Sequence, residues 1–260
     1  MLHVTNSATK WANDLAAWGI PSEILEQAPV SPWIHPPALF TVPTEIASTP
    51  SHELAREALQ HGGSILDVGC GGGIAAFAAT PPATHVVGVD HQQAMLDMFA
   101  DTAVARDVSH QEFLGDWPDV APLVPIADVV TCHHVAYNVS DIAPFINALD
   151  QHAHKRVIIE IPQQHPLSMM SAAWLHFWNL ERPSNPTSQD LLAVVRDLGY
   201  DAQITTWDSP LGREVSFEKQ VEFMRIRLCL SEARDADIAE FLQSQAGSGT
   251  RPLSTIWWDK

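Results

Sequence analysis

Basic residues are scarce in this 260-residue chain: 14 lysines and arginines stand against 31 aspartates and glutamates. The formal net charge is −17, and protonating all 13 histidines would bring it only to −4. A field of that sign repels a phosphate backbone, and no cluster of Lys and Arg offers a local exception, so nucleic acid is a poor partner. Cysteine is rare as well. Cys70, Cys132 and Cys229 form an odd set without a C-x-x-C pair, which argues against a disulfide framework and a structural zinc site. His133 and His134 are adjacent, and His152 and His154 lie near a helix end. No spacing puts three ligands on one face of one element, so no metal is expected. No apolar run approaches the ~20 residues that a membrane-spanning helix needs. The start, MLHVTNSATKWAND, lacks the basic-then-apolar pattern of a secretory signal. A soluble, cytoplasmic protein is expected, with its oligomeric state left open.

What is present is a 46% hydrophobic composition, enough for a substantial core. Residues 1–50 are rich in proline and tryptophan. Trp11, Leu15 and Trp18 share one helical face, and the following SPWIHPPALF is too proline-dense for regular structure. This stretch reads as an N-terminal cap over a main domain at 51–260. From Thr49-Pro50-Ser51, a helix start, apolar runs alternate with helical patterns, as βαβ units and a parallel sheet do. Strands are expected at Ser64 to Val68, Val86 to Val89, His110 to Leu114 (the weakest), Ala127 to Cys132, Arg156 to Ile161 and Ala202 to Trp207. Ser254 to Trp258 reads as a final edge strand. Met170, Trp174, Phe177 and Trp178 recur at helical spacing just after the fifth strand, so 166–182 is expected to insert a lid helix. With Trp11, Trp18 and Trp33 it would make an apolar cap.

The strongest local signal is Ile65-Leu66-Asp67-Val68-Gly69-Cys70-Gly71-Gly72-Gly73. An apolar strand runs into a bend without side chains, and a helix with free N–H groups follows. A nucleotide-like ligand is the natural occupant. A dinucleotide fingerprint needs a third glycine where Ile74 stands, so that match fails. Asp67, facing the same loop, would oppose a pyrophosphate and welcome an ammonium group. Val86-Val87-Gly88-Val89-Asp90 then ends the next strand with an acid placed for ribose hydroxyls, roughly 20 residues beyond the loop. A tight turn and a helix cap are the plainer readings of these two features, and their pairing argues against both.

LDVGCGGG, VVGVDHQQAML, GDW and ADVVTCHHVAY, in that order, resemble the class I S-adenosylmethionine-dependent methyltransferases. The resemblance spans about Ser51 to Pro162. It implies an α/β, three-layer αβα, Rossmann-like fold of about seven strands, mostly parallel with an antiparallel last strand, plus helical cap elements. It implies S-adenosylmethionine as cofactor and S-adenosylhomocysteine as product. Asp67, Gly69, Cys70 and Gly71 would surround the methionine moiety, and Asp90 would hold the ribose. His91 or Gln92 would lie along ribose and adenine, although Gln92 replaces the family's usual serine. Asp116 would accept from the adenine amino group with Trp117 beside the ring, unless Gly-Asp is simply a turn. His133 would offer backbone near the amino-acid end.

His133, His134, Tyr137 and Asn138 follow the fourth strand, where acceptor meets cofactor in this fold. His134 and Tyr137 are candidate catalytic groups, since imidazole titrates near neutrality; packing is the alternative for each. Glu160, Gln163, Gln164 and His165 close the fifth strand on the same rim, with Glu160 reading equally as a paired structural carboxylate. Cys132-His133-His134-Val135 stands where enzymes methylating adenine or glutamine amides carry N/D-P-P-Y/F, so the expected acceptor is a small molecule. Two rivals remain: a nicotinamide oxidoreductase of similar fold, and a non-catalytic subunit that keeps the cofactor pocket.

Overall fold

The computed structural model describes residues 5–33, 41–210, 216–245 and 249–260. The proline-dense segment therefore lies largely outside the described residues. Seven strands form one sheet: β1 (Ser64–Val68), β2 (His85–Asp90), β3 (Ser109–Leu114), β4 (Ala127–His133), β5 (Ala153–Pro162), β6 (Gln203–Pro210) and β7 (Thr250–Asp259). Their order is β3-β2-β1-β4-β5-β7-β6. β1 to β5 pair in parallel, and β7 runs antiparallel to both β5 and β6.

Helices cover both faces. On one lie α3 (Pro50–Ala58), α4 (Ile74–Ala78) and α5 (Gln93–Ala105), burying Ile65, Val86, Val129 and Ile158. On the other lie α1 (Asn6–Ala16), α6 (Ile142–Gln151) and α8 (Ser188–Asp197), burying Leu66, Val130, Ile159 and Ile256. Alternate residues of one strand thus serve opposite cores. That is why the central strands read as unbroken apolar runs and not as alternation. The result is the three-layer αβα sheet expected from the sequence, with an antiparallel last strand.

A third, smaller core is built by α2 (Ser22–Leu25), α7 (Ser171–Trp178), α9 (Phe217–Arg227) and α10 (Asp235–Ser244). Trp174, the centre of the expected lid stripe, is buried there with Ile24, Val221, Leu228 and Ile238. The insertions after β5 and between β6 and β7 therefore bury each other's apolar faces. Among the described residues, no helix is long and apolar enough to cross a membrane.

Two expectations need correcting. β7 is no edge strand: β6 pairs along its outer side, and β3 and β6 are the edges. Leu253, Ser254, Thr255, Ile256 and Trp258 are all buried, as an interior strand requires. Nor does all of 1–50 act as a cap. Trp11 is fully buried in the main core, where its Nε1 donates to Val139 O at 2.9 Å and its ring stacks on Tyr137 at 5.5 Å. Trp33, meanwhile, is half exposed. One amphipathic helix cannot report from its own sequence which of two cores receives it.

Candidate functional site

The strand order turns around between β1 and β4, whose neighbours lead off in opposite directions. In open α/β sheets that switch leaves a crevice outside the carboxyl ends of the strands, where ligands bind. The glycine loop after β1 opens onto it. Gly69 N and Cys70 N both donate to Val89 O, at 2.8 and 3.0 Å, lashing the loop to β2. Gly69 has φ +71°, and a Cβ there would overlap Val135 Cγ2. Gly69→Ala is therefore expected to lower the thermal midpoint, and Val135→Ala in the same chain to recover part of the loss. Melting curves of the two single variants and the double variant check this, and strict additivity would refute the clash. Cys70 is buried, with its thiol pushed up by that burial and by the nearby carboxylates of Asp67 and Asp90.

Asp90 organises the loop as well as ending β2. Its Oδ2 accepts from Gly71 N and its Oδ1 from Gln92 N, both at 3.0 Å. A carboxylate offers about four lone-pair sites, so two are left for incoming hydroxyls. His91 is exposed beside it, with Nδ1 3.6 Å from Asp90 Oδ1 and Nε2 3.2 Å from Gln92 Nε2. Gly115 N donates to Asp90 O at 3.0 Å, which brings the exposed Asp116 to the end of the same strand pair. Trp117 is occupied differently. Its Nε1 donates to Phe145 O at 3.3 Å and its ring meets His152 edge-on at 4.9 Å, so the indole is committed to packing under α6.

Asp67 lies beneath the loop, 1% exposed. Thr131 Oγ1 donates to its Oδ1 at 3.0 Å and Ala76 N to its Oδ2 at 3.4 Å. Burial raises its pKa to about 7 in spite of those two bonds. The native state thus holds a proton that the unfolded chain releases near pH 4, so this contribution to stability is complete at low pH and lost as pH rises through 7. Asp67→Asn keeps the shape: the amide oxygen accepts from Ala76, and its NH2 donates to Thr131, whose hydroxyl can turn to Leu66 O. The substitution is expected to raise the thermal midpoint by several degrees at pH 8 and by much less at pH 5. Unfolding scans at both pH values test it; an equal shift at both would contradict the burial argument.

Beyond β4 the chain gathers a polar cluster. His134 sits at φ +62°, a strained conformation for a residue with a side chain, and its backbone N donates to Glu160 O at 2.8 Å. Its Nε2 lies 3.1 Å from Glu160 Oε1 and its side chain is 43% exposed. Nε2 is thus the nitrogen placed to donate to Glu160, and Nδ1 makes no hydrogen bond among the described residues. Glu160 is 5% exposed on β5. Burial would raise its pKa, but the His133 and His134 imidazoles and the Ser51 hydroxyl together hold it well below the usual carboxylate range. Thr49 Oγ1 also donates to its Oε2 at 3.4 Å. His133 stacks on His52 at 5.8 Å; burial lowers the His133 pKa to about 4, and its Nε2 has no hydrogen-bond partner among the described residues.

Tyr137 departs from the catalytic role expected of it. Its hydroxyl donates to Pro162 O at 3.0 Å, and its ring is wedged between Trp11 and His165. Burial raises its pKa, so the phenol keeps its proton and braces the end of β4 against the end of β5. Thr49, Ser51 and His52 are the residues that sequence reasoning missed here. Their pattern announced only a helix start; what brings them to Glu160 is the bond between Ser51 and Thr255, at 2.7 Å, with Thr255 standing opposite Glu160 across β5 and β7.

Residues 43–203 match the family model described as a methyltransferase domain. No curated protein matches the chain. Among solved structures it is similar to the YcgJ protein of Bacillus subtilis, with 16% identity, 81% of this chain and 97% of that one covered, and a TM-score of 0.53. It is also similar to magnesium protoporphyrin IX methyltransferase of Synechocystis PCC 6803 with bound SAH, at 14% identity over 79% and 78% of the two chains, TM-score 0.50. Coclaurine N-methyltransferase, bound to N-methylheliamine and SAH, is similar at 13% identity over 98% and 86%, TM-score 0.51. At these identities the likeness is one of fold.

Proposed function

This chain belongs to the family of methyltransferase domains, and on that premise we propose that it transfers a methyl group from S-adenosylmethionine to a small-molecule acceptor. The observation that carries the reading is the loop between β1 and α4, four glycines around the buried Cys70, flanked by Asp67 and Asp90. It fits this cofactor on its own chemistry. Asp90 keeps acceptor capacity for two ribose hydroxyls, and Asp67 favours a cationic amino group over a pyrophosphate. Ile74 opens α4 where a dinucleotide-binding loop would carry its third glycine, which weighs against the nicotinamide rival.

Bound S-adenosylmethionine supplies an electrophilic methyl group on a sulfonium. The chain's part is alignment, exclusion of water and removal of the acceptor's proton. Asp90 and the glycine loop fix the nucleoside end. His134 Nδ1 takes the proton from the acceptor's nucleophile, while Glu160 holds the ring by Nε2 and stabilises the imidazolium that forms. His133, neutral and with an unpartnered Nε2, offers a hydrogen bond beside it. Tyr137 braces the two strand ends that carry these groups.

Two features favour a metabolite over a macromolecule: the net charge of −17, and the cap joined to the rim through the stack of Trp18 on His165 at 4.1 Å. Incubation with methyl-labelled cofactor and a library of small nucleophiles tests the reading. Label transferred to a library member supports it; cofactor binding with no transfer across the library would favour the non-catalytic subunit.

A further inference from the structure

β7 continues past the buried cluster to Arg251, which stands opposite Ser209 on β6. Trp257, Thr255, Leu253 and Arg251 share one face of the strand, because side chains alternate along it. Thr255 bonds to Ser51 of α3 and Trp257 packs in the same core as α3, so Arg251 stands on the face that carries Glu160. Its guanidinium is partly buried, and it makes no hydrogen bond or ion pair among the described residues. Every other arginine among them is bonded to a carbonyl, a hydroxyl or a carboxylate. The guanidinium is only partly withdrawn from water and no carboxylate is bonded to it, so it can take an anionic ligand at a small desolvation cost. Burial pulls the Arg251 pKa down, and Glu160 pushes it back.

Arg251 lines a pocket of about 60 Å³ with Gln164, His165, Ser168, Met169 and Pro162. Water occupies about 30 Å³ per molecule in the liquid, so the space suits a group of a few heavy atoms. The lining is largely apolar, with Pro162, Pro166, Pro252 and Met169 around the donor side chains, and it holds no carboxylate. His165 Nδ1 accepts from Leu167 N at 3.2 Å, which leaves the proton on Nε2. Burial lowers the His165 pKa to about 4, with Arg182 adding to the effect, so the ring stays neutral. The Gln164 amide and the Ser168 hydroxyl complete the donor set. In a chain of net charge −17 such a pocket is a local exception.

The pocket lies at the ends of β5 and β7, so β4 stands between it and the strand that carries the glycine loop. At ~4.8 Å per strand, the β1-to-β7 span is roughly 14 Å. Counted from the glycine loop, that sets Arg251 beyond the end of β4, where His133 and His134 stand. Resting on the methyltransferase reading, we propose that the acceptor carries a carboxylate, and that this carboxylate seats against Arg251 while the nucleophile faces His134. Arg251 is then a specificity residue for acidic metabolites.

The test uses the full chain, wild type and Arg251→Gln. Calorimetry first gives the affinity of each for S-adenosylhomocysteine. Methyl transfer is then measured on acceptor pairs, each a hydroxy- or amino-carboxylic acid and its primary amide. The expected result is a preference for acids of at least tenfold in kcat/KM, carried by KM and erased in Arg251→Gln, with equal affinity of both proteins for S-adenosylhomocysteine. Equal use of acid and amide, a preference that survives the substitution, or no acid accepted would overturn the proposal. A loss of S-adenosylhomocysteine affinity in Arg251→Gln would overturn it too, by giving the pocket to the cofactor. Failure of the wild type to bind S-adenosylhomocysteine at all is a different result, and it removes the methyltransferase reading along with the carboxylate.

Discussion

Alanine at position 90 is expected to weaken S-adenosylhomocysteine binding roughly ten- to a hundredfold. A hydrogen bond to a charged group is worth about 1.5–3 kcal/mol, and the expected net loss is of that size because ribose hydroxyls released from Asp90 can bond to water. The substitution also frees Gly71 N and Gln92 N, whose bonds to Asp90 hold the loop against β2 and open α5. Part of the loss is therefore loss of preorganisation. Gly69 and Cys70 remain tied to Val89 O, so the fold is expected to survive. Asp90→Asn separates the two contributions, since its single amide oxygen can keep one of the backbone bonds. Titration calorimetry on both variants, with circular dichroism as a check on folding, gives the answer. An unchanged affinity in Asp90→Ala would mean that the carboxylate faces no ligand.

His134→Ala is expected to reduce turnover by about a hundredfold or more, the usual size of a positioned general base, with S-adenosylhomocysteine affinity unchanged. The separation follows from the geometry. The imidazole is anchored to β5 through Glu160 and makes no bond to the glycine loop. Glu160→Gln leaves the base in place but removes the charge that stabilises the imidazolium, so a smaller drop is expected. Added imidazole should restore part of the turnover of His134→Ala and none of that of Glu160→Gln. Full activity in His134→Ala would mean that the acceptor loses its proton without help from this residue.

The sheet was legible because its signals are local. β1 begins and ends where the apolar run does, at Ser64 and Val68, and α4 starts at Ile74 as the glycines stop. Asp67 and Asp90 were readable because they stand at the carboxyl ends of adjacent strands that face the same loop. What could not be read depends on contacts across long stretches of sequence. β7 looked like an edge strand because nothing in Ser254 to Trp258 announces that β6 will pair along its outer side. Trp11 and Trp174 look alike in sequence, yet one joins the main core and the other the cap. Glu160, with two plain readings, acquires a role only when antiparallel pairing sets Thr255 opposite it and Ser51 follows. Tyr137 misled for the same reason: its position suggested chemistry, and only the neighbouring Pro162 carbonyl shows where its proton is used.

The central claim is that a glycine bend between two carboxylates accepts a cationic nucleoside and rejects a phosphate-bridged one. Side-by-side calorimetric titrations of the wild-type chain with S-adenosylhomocysteine and with NADH measure this directly. Saturable one-to-one binding of the first with no heat from the second is the predicted outcome. Tight binding of NADH, with S-adenosylhomocysteine silent, would contradict it.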